Sequence, residues 1–247
     1  MALIPPPGYA ALTLVDRSKH RDRGVRTNAA RFASRLHTIY ISAIEFIAAG
    51  RFYPLVFARD NEKALHPFAV VGLEAGQNLM VDTHGDWRHD AYCPAYVRRF
   101  PFCTAGTVVN GQPRSVICVD ESGLDDTTPH LFDHKGAETP RWKEIQRFIT
   151  EFDLARQQTE RLCRQLDDLG LFDVFEADVN PVVGNRKRLV GMLRIDEARL
   201  NSLDPQRIKD LMADGTLARI YAHLMSLDNF QRLLDLEVSR NDRVSPS

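Results

Sequence analysis

Thr139-Pro140-Arg-Trp142-Lys-Glu-Ile145-Gln-Arg-Phe148-Ile149-Thr-Glu-Phe152-Asp-Leu-Ala155-Arg-Gln-Gln-Thr159-Glu-Arg-Leu162-Cys163-Arg-Gln-Leu166-Asp-Asp-Leu169-Gly170 is the stretch whose reading decides the fold. Its apolar residues recur at steps of three and four, with Ala155 and Thr159 as the small members, so one face stays apolar for about eight turns. Thr139 suits an N-cap, Pro140 the first helical position and Gly170 the residue after the last turn. The spacing predicts a long amphipathic helix over residues 140–169. A helix with a single apolar stripe must pack on a sheet or on another helix, so most of these aromatics are expected in a core.

Upstream, residues 38–122 alternate short β-rich runs with turn residues. Strands are expected at 38–41 and 54–58, a short helix from Ser42 to Gly50, and a hairpin between 68–73 and 78–82. Pro94 is placed to start a short helix reaching Phe100, and 115–119 reads as another strand. Downstream, 174–183 and 188–195 resemble a hairpin turning at Gly184-Asn-Arg-Lys187, with Pro181 favouring an edge or a bulge. Three short helices follow, the first opened by Asp204-Pro205 and the last running from Asn229 to about Val238.

The expected class is α+β: a curled, mainly antiparallel sheet covered by one long amphipathic helix, with a C-terminal hairpin and short helices. No linker separates independent domains, so residues 1–240 are expected to form one domain, comprising an N-terminal arm (1–35), a β-rich part (36–122), the long helix, and the hairpin and helices of 174–240. Residues 241–247 are read as a flexible tail. The chain has 247 residues, 44% of them apolar and 26% charged, which excludes collagen-like, disordered and coiled-coil classes. Lys and Arg number 32 against 33 Asp and Glu. That balance argues against a nucleic-acid partner. The apolar run 39–49 is too short to span a bilayer and carries Glu45, so no membrane insertion is expected. Cys93, Cys103, Cys118 and Cys163 are widely spaced, which fits reduced thiols in a cytoplasmic protein without a zinc site.

Nucleotide-binding glycine motifs, His-Glu-x-x-His and the Gly-x-Ser-x-Gly elbow do not occur. Glu45, Asp82, Ser122 and His223 have the chemistry of acids, bases and nucleophiles but no certifying mutual spacing. His84-Gly-Asp86 has the spacing of two ligands of a non-haem iron site, with His130, His134 or His223 available to complete it. Its competing reading is a turn before Trp87, and no cofactor is expected. Arg17, Lys19, Arg21, Arg23, Arg26, Arg31 and Arg35 form the largest local charge asymmetry, either a solvated loop or an anion-docking strip.

The most unusual composition lies at 87–102. Trp87, Tyr92, Tyr96, Phe100 and Phe102 are joined there by three arginines, including Arg98 and Arg99, and by Pro94 and Pro101. Rigid rings, planar guanidinium donors and fixed backbone angles can build an aromatic cleft with cationic ends, able to hold a carboxylate, a phosphate or a peptide. A structural corner would use the same residues.

Around this segment the chain resembles the SapC family of bacterial proteins. The motifs that carry the resemblance are His20 in Ser-Lys-His-Arg-Asp; Ser42-Ala-Ile-Glu45-Phe with Phe52-Tyr-Pro54-Leu-Val-Phe57; Asn78-Leu-Met-Val-Asp82 with Gly85-Asp-Trp87; and Tyr92-Cys-Pro94-Ala-Tyr96-Val-Arg98-Arg-Phe-Pro101-Phe102. Later come Leu131-Phe132 and Gly136, Ile195-Asp196-Glu197, and Ile220-Tyr-Ala-His223-Leu-Met-Ser226. The family takes its name from a protein linked to a paracrystalline surface layer. The resemblance therefore implies a soluble accessory or binding protein of surface-layer or surface-protein production, with no catalytic activity or cofactor attached. It is unrelated to the peptide-transport permease of the same name, because the chain has no spanning segment. By the same resemblance the position of His84 is a turn position. The binding residues expected are Trp87, Tyr92, Tyr96, Arg98, Arg99, Asn78, Asp82 and His20, with a peptide or protein as partner. The alternative is an enzyme, most concretely a metal-dependent oxygenase using His84 and Asp86 or another modifier of peptides or sugars.

Overall fold

A computed structural model of the protein describes residues 4–26, 29–109, 112–179 and 187–244. In chain order the elements are β1 (Leu12–Leu14), β2 (Gly24–Val25), β3 (Thr38–Tyr40), α1 (Phe46–Ala49), β4 (Leu55–Arg59), β5 (Leu65–Val70), α2 (Ala95–Arg98), β6 (Phe102–Val109), β7 (Gln112–Asp120), β8 (Leu124–Asp125), α3 (Pro140–Asp168), β9 (Phe172–Val179) and β10 (Lys187–Ile195). Four helices close the chain: α4 (Glu197–Asn201), α5 (Pro205–Ala213), α6 (Thr216–Ser226) and α7 (Asn229–Val244). All strand pairs are antiparallel, so the expected α+β class and its long helix stand.

The strands do not form one sheet. They divide into β1-β7-β6, β3-β5-β4-β10-β9 and the small pair β2-β8. Two compact units follow this division. One gathers Met1–Arg35, Val81–Arg88 and Ala95–Leu154; the other gathers Leu36–Met80, His89–Pro94 and Ala155–Ser247.

In the first unit the long helix covers the three-stranded sheet. Trp142, Ile145 and Ile149 of α3 pack on Phe102 of β6 and Val119 of β7, with Leu124, Leu131 and Phe132 completing the core. The Trp142 ring meets Phe102 at 5.5 Å and Phe132 at 5.4 Å. Thr139 caps the helix, its hydroxyl accepting the Trp142 N–H at 3.2 Å. β6 is absent from the sequence reading because Cys103-Thr-Ala-Gly-Thr107 lacks bulky alternating residues; its pairing with β7 makes it a strand. The N-terminal arm lies on the same sheet, with β1 on the outer edge of β7.

The second unit is built on the five-stranded sheet. Its β4 takes β10 as a neighbour, so the C-terminal hairpin is part of the sheet instead of packing beside it. Pro181 and residues 184–186 of the expected turn lie outside the described residues, and Lys187 already belongs to β10. The hairpin expected between 68–73 and 78–82 does not form. There, the Gln77 side chain accepts the Leu73 N–H at 3.0 Å and the Asn78 side chain accepts the Met80 N–H at 2.8 Å, closing tight turns that leave no ladder. Three final helices were expected; α4 is the additional one, capped by Asp196, whose carboxylate accepts the N–H groups of Ala198 and Arg199. The last helix continues to Val244, past residue 238.

The junction of β4 and β10 is closed by a side chain. Leu193 pairs with Phe57, and continuing that register sets Ile195 opposite Leu55. The direct ladder bond is replaced there by the ring of His223 from α6, whose Nδ1 donates to the Leu55 carbonyl at 2.8 Å while Nε2 accepts the Ile195 N–H at 3.1 Å. One turn on, the Ser226 hydroxyl accepts the Leu55 N–H at 2.9 Å and donates to the His223 carbonyl. Two positions of one helix thus take both backbone groups of Leu55. His223 is fully buried, and burial, with Arg194 adding to it, lowers its pKa from 6.5 to about 4.

Because the folded pKa is depressed, protonation favours the unfolded chain. This contribution is complete above about pH 6.5 and shrinks as the pH falls toward 4, to a limit on the order of 3 kcal/mol. We expect urea midpoints to fall between pH 7.5 and 5, and His223→Leu to flatten that dependence while costing about 2–4 kcal/mol at pH 7.5 through the two orphaned backbone groups. Equal pH slopes in both proteins would refute it.

Candidate functional site

Arg99 sits at the centre of the most unusual arrangement. The α2 helix ends at Arg98, and the Arg99 carbonyl accepts the Phe102 N–H at 2.8 Å, turning the chain into β6. The turn is tight because Gly123 lies against it: a Cβ there would come within 2.5 Å of Phe100 and Pro101 side-chain atoms. The Arg99 side chain is thereby directed among rings. Its guanidinium lies 4.5 Å from the Tyr96 ring, 4.4 Å from Phe152 of α3 and 5.7 Å from Tyr9 of the arm. Behind these, Phe32 stacks on Phe100 at 4.2 Å. The phenols are held by backbone: Tyr9 donates to the Phe102 carbonyl at 3.0 Å and Tyr96 to that of Pro7 at 2.7 Å.

Arg99 is buried, at 8% exposure; its side chain hydrogen-bonds the Tyr9 and Tyr96 phenols, while its Nε has no hydrogen-bond partner. Among the described residues no carboxylate forms an ion pair with it. A buried charge in that state costs free energy unless something else satisfies it, and the rings repay only part by attraction to their faces. Its field reaches neighbouring groups. Burial pushes the Tyr96 phenol up to about 12 and the Cys103 thiol up to about 11, and the Arg99 charge opposes both rises.

Arg99 also lines a groove of about 430 Å³ between α2 and the first half of α3. Its arginines are Arg26, Arg98, Arg99, Arg141 and Arg147, and Glu144 is the acid among the described lining residues. Phe100, Phe102, Ile145, Phe148 and Ile149 supply apolar surface, and the Arg98 guanidinium stands 5.2 Å over the Phe148 ring. Exposed contacts hold the outer cations only loosely, Arg141 to Glu144 at 3.4 Å and Arg147 to Glu151 at 3.7 Å. The arrangement offers planar donors over an apolar floor, the chemistry that takes a carboxylate or phosphate attached to an apolar group.

The other expected site residues are distributed. Tyr96, Arg98 and Arg99 meet at the groove, whereas Tyr92 belongs to the second unit, where its hydroxyl donates to Glu45 at 2.8 Å and its carbonyl accepts from Tyr53. Asn78 is buried in that unit and its carbonyl accepts from Arg240 at 3.0 Å. Asp82, His84 and Asp86 form a tight turn closed by the bridge between Val81 and Trp87. The Asp82 carboxylate accepts the N–H groups of Asp86 and His84, and these bonds, Asp86 first, hold its pKa low. Gly85 completes the turn at a φ of 91°, with Arg31 packed where a Cβ would go. No group of three His, Cys, Asp or Glu able to hold a metal is formed among the described residues. His20 is buried, its Nδ1 accepting the Asp16 N–H at 2.9 Å and its Nε2 lying 3.7 Å from Glu121. Much of the basic strip around it faces acids: Arg17 meets Glu138, Lys19 meets Glu121 and Arg23 meets Asp126. Composition pointed to 87–102 and separately to the basic strip that holds Arg26, but gave no sign that Tyr9, Phe152, Arg26, Arg141 and Arg147 would join that segment, which only the folding of the arm and α3 brings about.

Fold and groove define a class: a mixed α+β protein of open antiparallel sheets, with an arginine-lined groove and, among the described residues, no helix long and apolar enough to cross a membrane. A SapC family model matches residues 15–233, and the chain belongs to that family. No curated protein and no solved structure matches it.

If Arg99 is kept for a ligand, its removal should not harm the fold. Arg99→Met, which fills the same ring-lined space without the charge, is expected to leave the melting temperature unchanged or raise it by about 2–4 °C. A drop of more than about 4 °C would make the residue a structural strut.

Proposed function

We propose that this SapC-family chain is an accessory binding protein of surface-layer or surface-protein production, working in the cytoplasm, and that it holds a peptide or other anionic partner at the groove of Arg98 and Arg99. One observation carries the reading: Arg99 is a buried cation without a carboxylate among the described residues, and it opens onto four further arginines. An anion arriving there supplies the counter-charge that the fold omits. The oxygenase alternative finds no support at His84 and Asp86, whose segment is a turn tied by its own backbone.

The test uses charge and salt together. A fluorescein-labelled oligoglutamate peptide is expected to bind the intact chain and to weaken as salt rises from 50 to 500 mM, and the double variant Arg98→Ala/Arg141→Ala should lose at least about tenfold in affinity with its melting temperature unchanged. Equal affinity in the variant would remove the groove as the site.

A further inference from the structure

The groove combines two features that select among anions. Two of its cations, Arg98 and Arg141, stand exposed at the rim, while Arg99 is buried among rings. Its apolar floor is recessed, with Phe100 at 7%, Phe102 at 2%, Ile145 at 8% and Ile149 at 2% exposure. Recessed apolar groups cannot enter a bilayer, because insertion requires side chains that protrude from the basic face. They can receive a side chain brought by a partner. Inorganic anions would use the rim and leave the floor unfilled.

We infer that the groove reads a short acidic segment of a partner protein, in which one aromatic or large aliphatic side chain enters the floor beside Phe148 while flanking carboxylates take the arginines. This rests on the anion-binding reading above and narrows its ligand. Charge complementarity fixes the sign of the partner, and the exposed arginines of the rim favour carboxylates, because a planar guanidinium can donate two parallel N–H···O bonds to a planar acceptor. The arginine rim gives on-rate and orientation, and the apolar anchor gives affinity.

The decisive experiment compares two peptides on the full chain by fluorescence anisotropy: acetyl-Asp-Glu-Phe-Glu-Asp-amide and the same peptide with Ala at its centre. The intact protein should prefer the Phe peptide by about tenfold, the effect of burying most of one aromatic side chain. Phe148→Ala should reduce the preference to below about threefold, with circular dichroism confirming its fold. Comparable affinity for both peptides in the intact chain overturns the inference and leaves the anion-binding reading standing. Absence of binding by either peptide, together with no oligoglutamate binding, overturns both. Binding of phosphatidylglycerol vesicles in place of the peptides would overturn the inference in favour of a lipid surface.

Discussion

A single apolar stripe on α3 is the constraint from which the rest follows. Its first half, through Trp142, Ile145 and Ile149, supplies the floor on which the three-stranded sheet rests. Its second half, through Leu162, Cys163 and Leu166, is buried in the other unit. Each large residue on the stripe is worth about 1.5–3 kcal/mol of burial, so the helix cannot turn about its axis without forfeiting both sets. The small members have a separate use. Thr159 accepts the Ala43 N–H at 2.8 Å and returns its own proton to the Ala155 carbonyl at 2.7 Å, a close approach that a larger residue would prevent.

Because the stripe fixes the helix, it also fixes Phe152, and Phe152 with Tyr96 determines where the Arg99 guanidinium lies. The fold therefore holds a cation without a partner carboxylate among the described residues in a buried, ring-lined place by means of the same packing that stabilises it. Stability alone would favour an apolar residue there. Retaining arginine is intelligible when a ligand completes its surroundings, and this connects the core of the first unit to the proposed groove.

Features governed by local rules were legible in the sequence. The caps of α3 and α5 and the limits of the long helix depend on residues a few positions apart. Partnerships set by distance in the chain were not. Nothing in Cys103–Thr107 announces a strand until Cys118 lies opposite, and nothing in 78–82 forbids one until Asn78 turns on Met80. Within 87–102 the chemistry was visible and its geometry hidden: Arg98 and Arg99 share the groove, whereas Tyr92 hydrogen-bonds Glu45 in the other unit. The partners of the basic strip were hidden for the same reason, since Glu121, Asp126 and Glu138 lie about a hundred residues away in sequence and beside it in space.

The His223 ring between β4 and β10 has a bearing on how the chain is made. Leu55 and His223 are separated by 168 positions. At the usual pace of about 5–20 residues per second, a ribosome has extruded β4 roughly ten to thirty seconds before the ring that seals its edge emerges. Over that interval β4 exposes backbone groups that no later strand alone can satisfy, because Leu55 is matched to a helix. The five-stranded sheet is thus a post-translational event in the literal sense, completed only when the C-terminal helices are free. A nascent chain stalled before residue 223 would carry an open edge, a natural target for the chaperones that attend translation.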